Sequence, residues 1–204
     1  MDKTLEALKK LSYDRVWVTK KVRMESEARL NRNNYYSMFF INYYTFIVLA
    51  LSIATLLSED KKVALFTVIA TVALFGISLF ISYVRFRERA LEYKESYIKL
   101  NELEASIEKV CLSSKNYTPS ELIDKLHECK LKYNEILSNT ENHASIDFQK
   151  VLIEKGLKSF ENNKLRYLYM SAEYYLNVIF KTALLVILLI LPIILLFPII
   201  KEIF

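Results

Sequence analysis

Charge-free runs alternate with heavily charged ones along the 204-residue chain. Tyr36–Leu57 and Val63–Val84 each extend 22 residues without a charge, and Thr182–Ile200 adds 19 between Lys181 and Lys201. A helix rising ~1.5 Å per residue needs about 20 apolar residues to cross a hydrocarbon core of ~30 Å. All three runs have that length, and a buried soluble helix rarely stays uncharged for so long. The pattern predicts an all-α membrane protein in four parts. Residues 1–35 form an amphipathic N-terminal helix, cytosolic or interfacial, and residues 36–84 a transmembrane helical hairpin. Residues 85–177 form a cytosolic helical bundle continuing from the second transmembrane helix, and residues 178–204 a C-terminal transmembrane helix with a short tail. Pro192 and Pro198 interrupt the backbone ladder of the third run, which leaves a kinked crossing and a re-entrant segment both open.

The charged stretches carry helical periodicity of their own. Leu100, Leu103, Ile107 and Val110 follow 3-4-3 spacing, and Tyr93 extends the seam backward by a heptad. This candidate assembly seam packs on a helix of the same chain or of another subunit. With no Gly or Pro between Val84 and Ser114, the second membrane helix is expected to run on as one long rod. Thr118-Pro119-Ser120-Glu121 has the capping residue, first-turn proline and glutamate of a helix start. Leu122, Leu126, Cys129, Tyr133 and Ile136 then share one stripe. A further helix is expected from about Ile146, carrying Phe148, Leu152 and Phe160 toward the membrane, with a bend near Gly156 and Glu161–Asn163.

Charge sets the expected topology. Nine Lys or Arg residues lie between Lys3 and Arg32, five more follow the hairpin from Arg85 to Lys99, and the hairpin connection Ser58–Lys62 has two beside two acids. The positive-inside rule puts the N terminus and residues 85–177 in the cytoplasm. Met1–Tyr35 is too charged for a signal peptide. Tyr35, Tyr36, Tyr83, Tyr167, Tyr169, Tyr174 and Tyr175 mark the membrane borders.

Composition removes most chemistry. With two glycines in the chain, one of them (Gly76) inside a membrane run, a Gly-rich phosphate loop cannot be built. Cys111 and Cys129 make no disulfide framework and suit a reducing compartment. His127 and Cys129 are two residues apart and point to different helix faces, so they form no metal pair. His143 is the remaining histidine, and both histidines are expected to be structural or solvent-facing. No catalytic, cofactor-binding or metal-ligating residue is predicted. The net charge of +5 sits beside membrane segments, where lipid headgroups explain it better than nucleic acid does.

The membrane runs hold a weak polar pattern. At about 100° per residue, Thr67, Thr71, Ser78 and Ser82 fall in an arc of roughly 60° on the second helix. Thr45 and Ser52 form a smaller stripe on the first, where Ala50 and Ala54 have small-xxx-small spacing. Hydroxyls and small residues are the usual adhesive between membrane helices, and pore lining by several copies is the functional alternative. No Asp, Glu, Lys, Arg or His lies within the runs, which argues against a coupled transporter.

The most specific local signal precedes the first run. Trp17, Thr19 and Lys20 are followed by Arg23, Glu27, Ala28, Arg29 and Leu30, and Arg23 and Glu27 are placed to pair across one helical turn. This segment either lies at the headgroups or docks on the bundle. Together with the tight hairpin and the helix after it, the segment resembles the SLATT family of bacterial two-transmembrane effector domains, most clearly over residues 10–112. The resemblance implies an oligomeric membrane effector of antiviral, abortive-infection-type defence. Such an effector forms a pore or disrupts the membrane once a partner signals, the partner being a nucleotide-second-messenger synthase or a reverse transcriptase. It transfers no catalytic residue. A third apolar run departs from the two-helix pattern. A non-toxic membrane anchor for a soluble partner enzyme and a small constitutive channel are the competing readings.

Overall fold

The structure is a computed structural model that describes residues 2–57, 61–156, 160 and 163–203. Its elements run α1 (Asp2–Lys10), a π-helical turn (Leu11–Val16), α2 (Trp17–Leu57), α3 (Lys61–Val84), α4 (Phe86–Leu112), a 3-10 turn (Ser114–Asn116), α5 (Pro119–Ser138), α6 (Ser145–Lys155) and α7 (Lys164–Ile203). No strand occurs among the described residues, and three helices are long and apolar enough to cross a membrane. The chain is an all-α membrane protein. It divides into two compact units: a bundle of residues 1–30 and 87–171, and a membrane unit of residues 31–86 and 172–204.

The bundle closes around the 3-4-3 seam. Leu100, Leu103, Ile107 and Val110 of α4 share a core with Leu8, Leu11 and Val16 from the N-terminal segment and Leu122, Cys129 and Tyr133 of α5. Leu8, Leu100 and Leu122 are fully buried, and each such side chain contributes about 1.5–3 kcal/mol by leaving water. The seam therefore packs within the chain, on the N-terminal segment and α5. The stripe expected on α5 is the one that faces inward, with Leu126 and Ile136 packed against its edge. Cys111 also packs on this core, and both cysteines are free thiols. Thr118 opens α5 with a full capping box. Its hydroxyl accepts from the Glu121 N–H (3.3 Å), and Glu121 Oε2 accepts from the Thr118 N–H (2.7 Å). These two bonds satisfy donors that a helix start would otherwise leave unpaired.

One expectation for the charged stretches is corrected. The long rod from the membrane is broken at Arg85, which adopts φ 53° between α3 and α4. That left-handed conformation costs an L-residue about 1–2 kcal/mol and ends a helix as a glycine would. In α6 the buried positions are Asp147 and Val151, while Phe148 is exposed and Leu152 only partly covered. The inward face carries an acid, Asp147, which has a partner inside. Phe160 is buried and meets Tyr167 edge-on at 5.4 Å. Gly156 ends α6 with φ 75°. The bend expected over Glu161–Asn163 falls largely outside the described residues.

In the membrane unit, α2 and α3 leave at most three residues (58–60, outside the described set) to connect Leu57 to Lys61. So short a connection makes the two helices antiparallel neighbours. Large apolar side chains such as Phe46, Val72, Phe80 and Phe180 stand outward on α2, α3 and α7. In water this surface would drive aggregation, whereas in a bilayer it is the required exterior.

Candidate functional site

The N-terminal motif residues are consumed in docking the first turns of α2 onto the bundle. Thr19 Oγ1 and the Tyr133 hydroxyl are 2.9 Å apart. Lys20 pairs with Glu104 and also donates to Asn101 Oδ1 at 3.2 Å. The Lys155 ammonium lies 4.2 Å from the centroid of the Trp17 ring and 5.7 Å from that of Tyr13, which stacks on Trp17. Leu30 is buried. Interfacial anchoring of this segment gives way to docking, because Lys20, Arg23, Glu25 and Arg29 find partners on α4, α5 or α6, while Lys21 lies over the Trp17 ring of its own helix.

Arg29 and Asp147 form the strongest contact. Arg29 Nε donates to Asp147 Oδ1 at 2.7 Å and Nη2 to Oδ2 at 2.9 Å, and the Ser26 hydroxyl adds a third bond to Oδ2 at 2.7 Å. Asp147 is 3% exposed. Its side-chain hydrogen bond with Asp147 raises the Arg29 pKa despite partial burial. A bidentate, charge-assisted pair with a buried carboxylate is geometrically specific and costly to break from one side.

Arg23 behaves differently from expectation. Rather than pairing with Glu27, it is 3% exposed and donates from Nη1 to the Ile136 carbonyl at 3.2 Å. Burial lowers its pKa, and no carboxylate is among the groups that offset this. The acceptor lies in the last turn of α5, so the guanidinium sits against the negative end of a helix. Burial and the neighbouring Glu27 carboxylate raise the pKa of Tyr97. Tyr93 donates to the Asn142 carbonyl at 2.9 Å, and burial pushes its pKa up to about 12.

The expected absence of a His–Cys pair has a geometric counterpart. His127 is exposed while Cys129 faces the core, and Glu128 between them is held by Lys125 (2.8 Å) and Lys132 (2.9 Å), which pull its pKa to about 2. The His143 ring lies 6.0 Å from Phe148, and lost solvation lowers its pKa although the side chain stays partly open.

In the membrane unit every hydroxyl of the two stripes except that of Ser78 donates to its own helix. Thr45, Ser52, Thr67, Thr71 and Ser82 bond the carbonyls of Ile41, Val48, Val63, Thr67 and Ser78 at 2.7–3.0 Å. Thr67 is buried, Thr45, Ser52 and Ser78 are half-buried, and Thr71 and Ser82 are exposed. Satisfied in this way, a hydroxyl face can meet lipid, a neighbouring helix or water without a large penalty.

Sequence reasoning missed the two tyrosines that hold the third membrane helix. Pro192 has no N–H for the Leu188 carbonyl, and the Tyr44 hydroxyl donates to that oxygen at 2.7 Å. Tyr43 donates to the Leu189 carbonyl at 2.9 Å. It also missed Asp147 and Lys155, and it placed Tyr133 on the α5 stripe without its link to Thr19 of the motif. An acid standing four residues before Val151 on a helix with an inward face was the one available signal for Asp147.

Comparison with known proteins adds one finding. The family model described as SMODS and SLOG-associating 2TM effector domain family 5 matches residues 3–198. No curated protein and no solved structure matches the chain.

Proposed function

The chain belongs to SMODS and SLOG-associating 2TM effector domain family 5, and from that premise we propose that it is an oligomeric effector of the bacterial inner membrane. In this reading the effector stays silent while the bundle is locked and opens an ion path when a partner or a nucleotide signal acts on the bundle. The observation that carries the proposal is the uncharged hydroxyl face of α3. Thr71 and Ser82 are exposed on a single chain, with their hydrogen bonds already made. Such a face can line a weakly polar pore when copies assemble, with Ser78 at its edge and Thr67 left to packing. The concentration of Lys and Arg before and after the hairpin supports a cytoplasmic bundle. The family description, which speaks of association, supports control by another component of a conflict system, in keeping with a nucleotide-second-messenger synthase or a reverse transcriptase beside it.

Thr71→Leu with Ser78→Leu tests this directly. The pair should abolish toxicity on activation while membrane insertion is unchanged; undiminished toxicity would reassign the stripe to helix packing. A second reading, a non-toxic anchor for a soluble enzyme, is favoured by the exposed apolar side chains Leu91, Leu112, Ile123 and Leu131 on the bundle. It predicts partner recovery in the membrane fraction and no toxicity when the partner is triggered.

A further inference from the structure

The membrane unit has an open-sided cavity of about 480 Å³ bounded by α2, α3 and α7. Tyr36, Phe40 and Tyr44 line it from α2, Ala73 and Ile77 from α3, and Leu188 from α7. Its volume falls in the range of small-molecule sites, roughly 300–1,000 Å³. No charged side chain lines it, and besides Tyr44, whose hydroxyl is already committed to the Leu188 carbonyl, its hydroxyl side chains are Tyr36 and Ser37 at one end. Water needs two to four polar partners to stay in such a space, so the hydrocarbon-lined remainder favours an apolar occupant. Left empty, its walls forfeit dispersion contacts on one side.

The surroundings decide what fills it. Ile77 and Tyr36 on its rim are 54% and 37% exposed, so the cavity can be entered from the outer surface of these helices. In a bilayer that surface faces hydrocarbon. The Tyr36 end also has a polar continuation: exposed Arg32 lies four residues earlier on the same face of α2. A guanidinium there is placed to meet a phosphate by charge-assisted hydrogen bonds.

We infer that the cavity is a lipid site, holding one acyl chain of an anionic phospholipid whose phosphate is met by Arg32. Small Ala73 leaves the room for the chain, Ile77 and Phe40 flank it, and Tyr36 marks the level of the headgroup. The inference depends on the membrane-spanning helices and is independent of the effector reading.

The test uses the full chain in phosphatidylcholine nanodiscs doped with phosphatidylglycerol that carries a photoactivatable group on one acyl chain. Cross-linked positions are read by mass spectrometry. Labelling should concentrate on Phe40, Ala73 and Ile77, and Ala73→Phe, which fills the space, should lower it about tenfold. Leu79→Phe on the exposed face of α3 should leave it unchanged. Arg32→Gln should remove the preference for the phosphatidylglycerol probe over its phosphatidylcholine analogue while acyl labelling of the cavity persists. If Ala73→Phe fails to insert, Ala70→Leu fills the same cavity more gently. Equal labelling in the filled and native proteins would overturn the inference, as would labelling spread evenly over the outer positions of α3. Efficient cross-linking between copies through Ala73→Cys, with no lipid label in the cavity, would give the space to a neighbouring subunit.

Discussion

The Tyr44 hydroxyl donates to the Leu188 carbonyl at 2.7 Å, at the acceptor that Pro192 leaves without an N–H. An unpaired carbonyl within a bilayer costs several kcal/mol, and a neighbouring side chain that satisfies it makes proline tolerable in a membrane helix. Tyr44→Phe should destabilise the membrane unit by about 0.5–2 kcal/mol. In a Pro192→Ala background, where the helix supplies its own N–H, the same change should cost clearly less. A double-mutant cycle in bicelles checks this; additive losses would mean that the hydroxyl does not compensate for the proline.

The Arg29–Asp147 pair and the Arg89–Glu141 pair have similar lengths (both 2.7 Å), but their surroundings differ. The first has a carboxylate 3% exposed, and the second has both side chains 37–39% exposed. Asp147→Asn should cost about 2–4 kcal/mol, because it leaves a guanidinium short of its buried partner. Glu141→Gln should cost less than about 1 kcal/mol. Chemical unfolding of the detergent-solubilised protein compares the two, and equal effects would contradict this ranking.

Arg85 holds a left-handed backbone conformation at the junction of α3 and α4. Arg85→Gly should be neutral or stabilising by up to about 1 kcal/mol, since relief of strain outweighs the added freedom of the unfolded chain. Arg85→Val should lose more than about 1 kcal/mol, because a β-branched side chain fits that conformation worst. Thermal melts of the two variants decide, and a destabilising glycine would remove the strained-junction account.

The seam Leu100–Leu103–Ile107–Val110 faces the interior of its own chain. Leu100→Ala or Ile107→Ala should therefore lower bundle stability by about 2–5 kcal/mol through lost burial and a residual cavity. Size-exclusion light scattering alongside melting separates this from assembly. Smaller oligomers with unchanged stability would return the seam to a subunit interface.

Elements governed by local rules were legible from the residues alone. Three uncharged runs of bilayer length, the Thr118 capping box and the α5 stripe each follow from spacing. Features that depend on contacts between distant residues were not. Nothing near Tyr44 points to a carbonyl 144 residues away. Arg23 faced two acceptors, a glutamate one turn on and a helix end on α5, and only the packing of α2 on α5 decides between them. Arg85 gives no local sign of a left-handed turn, because arginine is an ordinary helix former. The inward face of α6 was not legible because apolar periodicity discounts a carboxylate, whereas Asp147 is buried by virtue of its pairing with Arg29 and Ser26.

The central claim is that activation opens an ion path through the membrane unit. Membrane potential, followed with a voltage-sensitive dye in cells carrying the protein with and without its triggered partner, tests it most directly. The account predicts rapid depolarisation only when both are present, and its loss in the Thr71→Leu, Ser78→Leu variant. A potential that stays unchanged on triggering, with the protein inserted and the partner active, would contradict it.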